Sequence, residues 1–343
     1  MYLKNIPQLS LVIVTILIFS GITSLYFIFD SRPQKQGGAE VVEIVIQEGA
    51  TLSTIAEQLY QANIIRSPNT FKIAARLLQR TRSIYPGVYT LDNRLSNSEA
   101  IAALAHAKAT EISITIPEGL RSDEIISLLS QKLKLDSLKM TALLTDPSLL
   151  EIAGDGFQHL EGTLFPETYR FLENSDEYMV MKRMVSHFRE SIEPEMLEKA
   201  EQFGFDLHRL ITFASLVEKE TAREDERRMV ASVYHNRLTT DMLMNCDPTI
   251  IYMLVQQGIW NGNIQRKHFS IDNPYNSYMY KGLPPGPIAN PGLASILASL
   301  DPAESDFLYF VGKNDGSGAH DFSKTLREHN NKVNRYQRRR TNR

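Results

Sequence analysis

The sequence predicts an α+β chain: an apolar N-terminal helix, two strand-turn-helix units, and a mixed α+β body. Three observations carry this. Residues 9–29 hold no charge and are mostly Leu, Ile, Val and Phe. Six positions of the next segment recur further along the chain at one fixed offset. Beyond residue 156 helical periods outnumber alternating runs and follow them in no regular order, which separates α+β from a wound α/β sheet.

Taken in order, residues 1–8 read as a short tail and 9–29 as a membrane-spanning helix. That helix is long enough for a hydrocarbon core of roughly 30 Å. No small-residue cleavage site follows it, so the expectation is an uncleaved anchor. Lys4 on one side and Arg32 with Lys35 on the other leave the charge rule for orientation a tie. Residues 30–40, with Pro33 and the pair Gly37-Gly38, read as a linker. A repeat region follows over 41–155. Ile44, Ile46, Glu48, Gly49, Ile55 and Leu59 return as Ile114, Ile116, Glu118, Gly119, Ile125 and Leu129. Each copy predicts an alternating strand, a Glu-Gly turn and an amphipathic helix opened by Ser or Thr. Glycine suits the turn if φ is positive there. Between the copies lie helices over 68–79 and 97–105, and a strand entered through Pro86-Gly87. The body, 156–343, predicts helices over 178–191, 194–204, 207–220, 250–256 and 293–300. A hairpin pairs 307–311 with 319–322 across a Gly- and Asp-rich turn. A helix over 323–340, capped by Ser323, closes the chain.

Composition removes several function classes. The net charge is −3 and 22% of residues are charged, without the basic face of a nucleic-acid binder. The one cationic cluster, Arg335, Arg338, Arg339, Arg340 and Arg343, reads as a solvated helix end. Cys246 is the only cysteine, so no internal disulfide forms, and with no partner histidine at a recognisable spacing it reads as inert. The eight histidines make no HExxH pair, no Gly-rich phosphate loop follows a strand, and there is no Gly-x-Ser-x-Gly elbow. The expectation is no metal and no cofactor.

The chemistry concentrates in residues 214–252. Leu210, Ile211, Ala214 and Val217 recur at helical spacing, which places Glu218 and Glu220 on a helix. At about 100° per residue the two carboxylates point roughly 200° apart, so only one can face a given cleft. Both border the apolar face, and periodicity does not choose between them. An ordinary amphipathic helix with solvated acids accounts for the same pattern.

The order of the surrounding blocks says more. Ser215-Leu-Val-Glu-Lys-Glu-Thr221 is followed by Glu226-Arg227, Val230-Ala-Ser-Val233, an Asn236-Arg-Leu238 turn and Asp247-Pro-Thr249. Then come Asn273-Pro-Tyr-Asn-Ser277, Gly282-Leu-Pro-Pro-Gly-Pro-Ile288, Asn290-Pro-Gly292, Tyr309-Phe-Val311, His320-Asp-Phe322 and Glu328-His-Asn330. This collinear set resembles the signature of the YceG-like endolytic murein transglycosylases, and it departs from the family pattern at Asn276-Ser277-Tyr278. The first repeat copy, from Glu48 to Ala56, resembles the start of a LysM module, a small fold that binds N-acetyl sugars. A plain orienting arm would use the same strand-turn-helix.

The resemblance implies cleavage of MurNAc–GlcNAc bonds within nascent strands, leaving 1,6-anhydro ends. A lytic transglycosylase needs one carboxyl group, because the sugar's own C6 hydroxyl is the nucleophile. Glu218 matches the family's catalytic position. It would protonate the glycosidic oxygen and then accept the C6 proton, which calls for a pKa raised above about 4.3. Glu220 reads as structural, paired with Arg223 or Arg227. Asn236 and Arg237 are candidate contacts to an acetamido or lactyl group. Asp247, before Pro248, reads as an N-cap beside the site, a pattern repeated at Asn290-Pro291. Thr249, Tyr252, Asn276 and Tyr278 are candidate sugar contacts. Tyr275, Tyr278 and Tyr280 could stack on pyranose faces, and His320 could orient substrate or bond the 316–318 turn. The partners implied are peptidoglycan glycan strands, the inner membrane and a peptidoglycan synthase, with no nucleic acid. The location implied is single-pass in the inner membrane, N-terminus inside and catalytic body in the periplasm. Two other readings stay open: a muramidase-type hydrolase, which needs a second carboxylate opposite Glu218, and a non-catalytic peptidoglycan-binding scaffold built on the repeat.

Overall fold

The computed structural model describes residues 6–33, 41–47, 49–81, 84, 86–93, 95–106, 111–172 and 175–336, with side chains of the first helix from Val14 onward. The chain divides into two compact units, one of residues 1–112 with 170–174, the other of 113–169 with 175–343. The second repeat copy therefore belongs to the second unit. Glu48, most of the linker and Arg338, Arg339, Arg340 and Arg343 lie outside the described residues.

The first unit opens with α1 (Ile6–Phe29), followed by β1 (Val41–Ile46), α2 (Leu52–Gln61), α3 (Pro68–Leu77), β2 (Gly87–Asp92) and α4 (Asn97–His106). β1 and β2 pair antiparallel, with Val41 opposite Asp92 and Ile46 opposite Gly87. Alternation on β1 turns Ile44 and Ile46 inward, where they join Ile55 and Leu59 of α2, Phe71 of α3, and Tyr89 and Leu104 in one core. Thr51 caps α2, its hydroxyl accepting the Thr54 N–H at 3.1 Å.

The spanning helix expected over 9–29 is a correction. Among the described residues no helix is long and apolar enough to cross a membrane. The last turn of α1 is committed elsewhere. Ile28 and Phe29 pack on the first unit's core. The Asn97 amide donates to the Ile28 carbonyl at 2.8 Å and the Ser98 hydroxyl to that of Phe29 at 2.9 Å. The rest of the expected class, α+β with few strands among many helices, is what forms.

After β3 (Glu111–Thr115), which straddles the division at residue 113, the second unit runs through α5 (Ser122–Leu133), α6 (Ser137–Leu143) and α7 (Pro147–Ala153) to β4 (Thr168–Leu172), which straddles the division at residue 170, and on through α8 (Glu177–Ser191), α9 (Pro194–Gln202), α10 (Leu207–Glu220), α11 (Glu224–Thr239) and α12 (Asp247–Gln256). A 3-10 turn (Arg266–Ser270), α13 (Leu293–Leu300), the hairpin β5 (Tyr309–Gly312) with β6 (His320–Ser323), and α14 (Leu326–Tyr336) complete it. β3 and β4 form a further two-stranded sheet. The centre is α10, buried from Leu210 through Glu218.

Three local expectations shift. Asn236, Arg237 and Leu238 lie inside α11 rather than in a turn. Cys246, not Asp247, is the N-cap of α12, and Gly292, not Asn290, that of α13. Ser323 ends β6 instead of capping α14, where the Thr325 hydroxyl accepts the Glu328 N–H at 3.3 Å. Side chains that local sequence offers as caps, such as Asp247 and Asn290, are claimed by hydrogen bonds outside their helices.

Candidate active site

Glu218 is buried, at 9% exposure, near the C-terminal end of α10. Apolar neighbours at Leu216 and Val217 seal the helix into the core. Two groups address its carboxylate. The Gly292 backbone N–H, opening α13, donates to Oε2 at 3.1 Å. Arg227 on α11 brings Nη2 to 3.8 Å from Oε1. The same nitrogen donates to Glu118 Oε2 at 3.1 Å, so one guanidinium stands between two carboxylates. Glu118 comes from the Glu-Gly turn of the second repeat copy. Gly119 follows with φ of 74°, and a Cβ there would sit 3.4 Å from Glu218 Cγ. Lys219 donates to the Gly119 carbonyl at 2.9 Å. Glycine serves this turn by its positive φ, and the turn packs directly against Glu218.

The segments that meet here are fastened from behind. Asn290, fully buried, gives its amide N–H groups to the Leu120 carbonyl at 3.0 Å and Glu161 Oε1 at 3.1 Å. Its side-chain oxygen accepts the Leu164 N–H at 2.8 Å, and its carbonyl that of Gly119 at 3.0 Å. Glu161 Oε1 also accepts the Ser122 N–H at 2.9 Å and hydroxyl at 3.0 Å. Burial pushes the Glu161 carboxyl up to about 7, against the backbone donor at Ser122, which favours its charge.

Glu220 takes a different environment. Its Oε1 accepts the Tyr234 hydroxyl at 2.8 Å, with the Cys246 thiol as second partner. Burial raises the Glu220 carboxyl and, well above their ordinary values, Cys246 and Tyr234. The expected pairing with Arg223 or Arg227 is not made: Arg223 binds Asp225 at 2.6 Å, and Arg227 is engaged as above.

The remaining candidates scatter. Asn236 donates to the Ser305 and Phe307 carbonyls at 2.8 and 3.0 Å. Arg237, buried, donates to the carbonyls of Leu308 at 2.7 Å and Met244 at 2.6 Å. Thr249 bonds the Cys246 carbonyl at 2.7 Å and Ser277 at 2.8 Å, and Asn276 bonds the Ile271 carbonyl at 2.8 Å. Asp247 accepts the Tyr278 hydroxyl at 2.5 Å. His320 meets Glu226 at 2.8 Å rather than the 316–318 turn. Tyr275, Tyr278 and Tyr280 form no common platform: Tyr275 lies 4.9 Å from Tyr252, Tyr278 stands edge-on to Phe269, and Tyr280 is exposed with its hydroxyl on Asp272. Tyr252 reaches Glu161 Oε2 at 3.4 Å. Among the described residues no His, Cys, Asp and Glu group could hold a metal ion.

Sequence reasoning passed over Glu118, Glu161 and Gly292 as site residues. Glu161 had a signal, a lone acid inside the run Leu160-Glu-Gly-Thr-Leu-Phe165. Gly292 had none, because it contributes a backbone N–H and a missing side chain, a Cβ there falling 2.0 Å from Glu118 Oε1.

Fold and site together define a protein centred on one helix-borne carboxyl held between a guanidinium and a backbone amide. The chain belongs to the YceG-like family, whose pattern it matches over residues 44–335. It is 30% identical over 324 residues to the endolytic murein transglycosylase of Bacillus subtilis, covering 89% of this chain and 87% of that protein. It is 28% identical to the endolytic murein transglycosylase of Streptococcus pneumoniae D39, covering 88% of this chain and 60% of that longer protein. A crystal structure of a yceG-like protein from Listeria monocytogenes superposes with a TM-score of 0.57 at 29% identity, covering 86% of this chain and 99% of that one.

Proposed function

We infer that this chain is an endolytic murein transglycosylase that cuts MurNAc–GlcNAc bonds and leaves 1,6-anhydro ends, with Glu218 as its acid and base. The observation that carries the assignment is the division of labour on α10. Glu220 is spent on Tyr234 and Cys246, whereas among the described residues Glu218 is addressed by the Gly292 amide and the Arg227 guanidinium. Glu218 gives its proton to the departing glycosidic oxygen and takes the C6 hydroxyl proton as the anhydro ring closes. Gly292 fixes which carboxylate oxygen is free to do so, and Arg227 stabilises the negative charge left after the first transfer. Glu118, ion-paired to Arg227, is held back from the second role that a hydrolase would require. The enzyme works where nascent glycan lies, outside the plasma membrane, beside the synthase whose strand it shortens.

The test is the mass of fragments released from purified glycan. Anhydro ends are lighter than reducing ends by one water, and Glu218→Gln should release neither. Reducing ends from the wild type would establish a muramidase-type hydrolase instead. Unchanged product from Glu218→Gln would remove Glu218 from the role.

A further inference from the structure

The second unit contains a pocket of about 810 Å³ that the chemistry at Glu218 does not use. Glu161 and Tyr252 form its buried wall, with Tyr275, His208, Asn273 and Gln256 around it. Its polar groups converge on Gly286. A Cβ built there would lie 3.1 Å from the Tyr275 hydroxyl and 3.4 Å from His208 Nε2. Gly286 has no positive φ, so space alone accounts for the glycine.

The lining includes no Lys, Arg or Asp. Burial holds His159 and His208 below the ordinary imidazole value, which favours their neutral forms, and pushes Glu161 up to about 7, so that much of it keeps its proton near neutral pH. Hydroxyl, amide and imidazole groups without fixed charge suit a neutral ligand rich in hydroxyl and amide groups, with proline and tyrosine surfaces for its apolar faces. Another pocket of the second unit, about 510 Å³, is lined by Lys199, Arg227, Arg228 and four acids, and offers the opposite chemistry.

The pocket also has a track to Glu218. Residues 286–292 run beside α10: Gly286 stands by His208, the Ile288 N–H donates to Ser215 at 3.1 Å, and the Gly292 N–H donates to Glu218 at 3.1 Å. From His208 to Glu218 along a helix rising about 1.5 Å per residue is about 15 Å, the reach of a few sugar units. We propose that this pocket is a distal subsite, holding a neutral N-acetylhexosamine unit of the same glycan strand that Glu218 cleaves. The proposal rests on the transglycosylase reading and adds to it where the strand is gripped.

Two substitutions test it. Gly286→Val fills the space beside Tyr275 and His208, and Gln256→Ala removes an exposed rim amide that folding does not need. In the full chain carrying Glu218→Gln, titration with the N-acetylglucosamine hexamer should show Kd raised about tenfold by Gly286→Val and severalfold by Gln256→Ala, the scale of one or two lost hydrogen bonds. With Glu218 intact, KM for long strands should rise by similar factors while kcat stays within about twofold. Unchanged Kd and KM in both variants, with unaltered melting, overturns the proposal. So does a fall in kcat as large as the rise in KM, which would put the pocket in the chemical step. A wild type that releases no anhydro ends would sink the transglycosylase reading but leave hexamer binding to judge the pocket.

Discussion

The two copies of the repeat start from nearly the same sequence and end in different service. Both turn a strand inward through two isoleucines and hold a glycine at almost the same φ, 77° at Gly49 and 74° at Gly119. Both bury the helix positions Ile55 with Leu59 and Ile125 with Leu129. Around Gly49, however, a Cβ would meet nothing, whereas at Gly119 it would meet Glu218 and Lys219. The helix starts differ in the same sense. Thr51 caps α2 with its own hydroxyl. In the second copy Arg121 holds the cap position, its N–H bonded to Glu124 at 2.9 Å, and Glu161 binds Ser122 from 39 residues away. The first copy is closed on itself, and the second is built into the candidate site. Shared apolar positions preserve the unit, while turn and cap record what the unit is used for.

The largest effect tests whether the second copy stands beside the reacting group. Glu218→Gln keeps size and hydrogen bonding but has no proton to transfer, and should cost on the order of 10²–10⁴ in rate. Glu220→Gln should cost far less, since the Glu220 carboxyl is engaged by Tyr234 and Cys246. Initial rates of anhydro-end release measure both. Equal losses would mean that the second copy surrounds the wrong carboxylate.

A smaller effect separates the copies by pH. The Glu161 carboxyl is raised from 4.5 to about 7. A carboxyl whose folded pKa lies above its unfolded one contributes stability below the unfolded value and loses it as pH rises through the folded value. The wild type should therefore lose about 3 kcal/mol, relative to Glu161→Gln, between pH 4.5 and pH 8, at about 1.36 kcal/mol per unit. Denaturant unfolding of the second unit's signal checks this; parallel curves for the two proteins would contradict it. Among the described residues the first copy has no such strut, so its unfolding should not share the difference.

What the sequence made legible follows from range. Gly49 and Gly119 are readable because positive φ is a local demand, the limits of α10 because apolar periodicity and its Asp206 cap agree, and those of α13 from periodicity alone. Asn236, Arg237, Thr249 and Asn276, which the sequence offers as sugar contacts, are engaged within the protein itself. A buried amide, hydroxyl or guanidinium inside a shared motif equally serves to bind backbone carbonyls, as all four do here. β4 has only five residues, and α6 and α7 only seven each, too few for a clear period. The approach of Glu118 to Arg227 across 109 residues, and of Gly292 to Glu218 across 74, left no local mark.

The smallest effect is the most specific to the comparison. Gly49→Ala and Gly119→Ala place a Cβ on backbones of nearly equal φ. Each should lose about 1–2 kcal/mol of stability from left-handed strain. On stability alone the two should look alike. They should part in activity. The new methyl at residue 119 touches Glu218 Cγ at 3.4 Å, so a turn that shifts to relieve its strain moves the carboxyl that Gly292 and Arg227 orient. A small displacement at a proton donor costs rate out of proportion to stability, so Gly119→Ala should lower kcat by about tenfold or more. The methyl at residue 49 meets open space and should leave kcat unchanged. Thermal melts and initial rates on the same glycan decide the matter. Equal kcat losses would show that the first copy also bears on the reaction, and no loss in either would show that the second copy's turn is only a neighbour of Glu218.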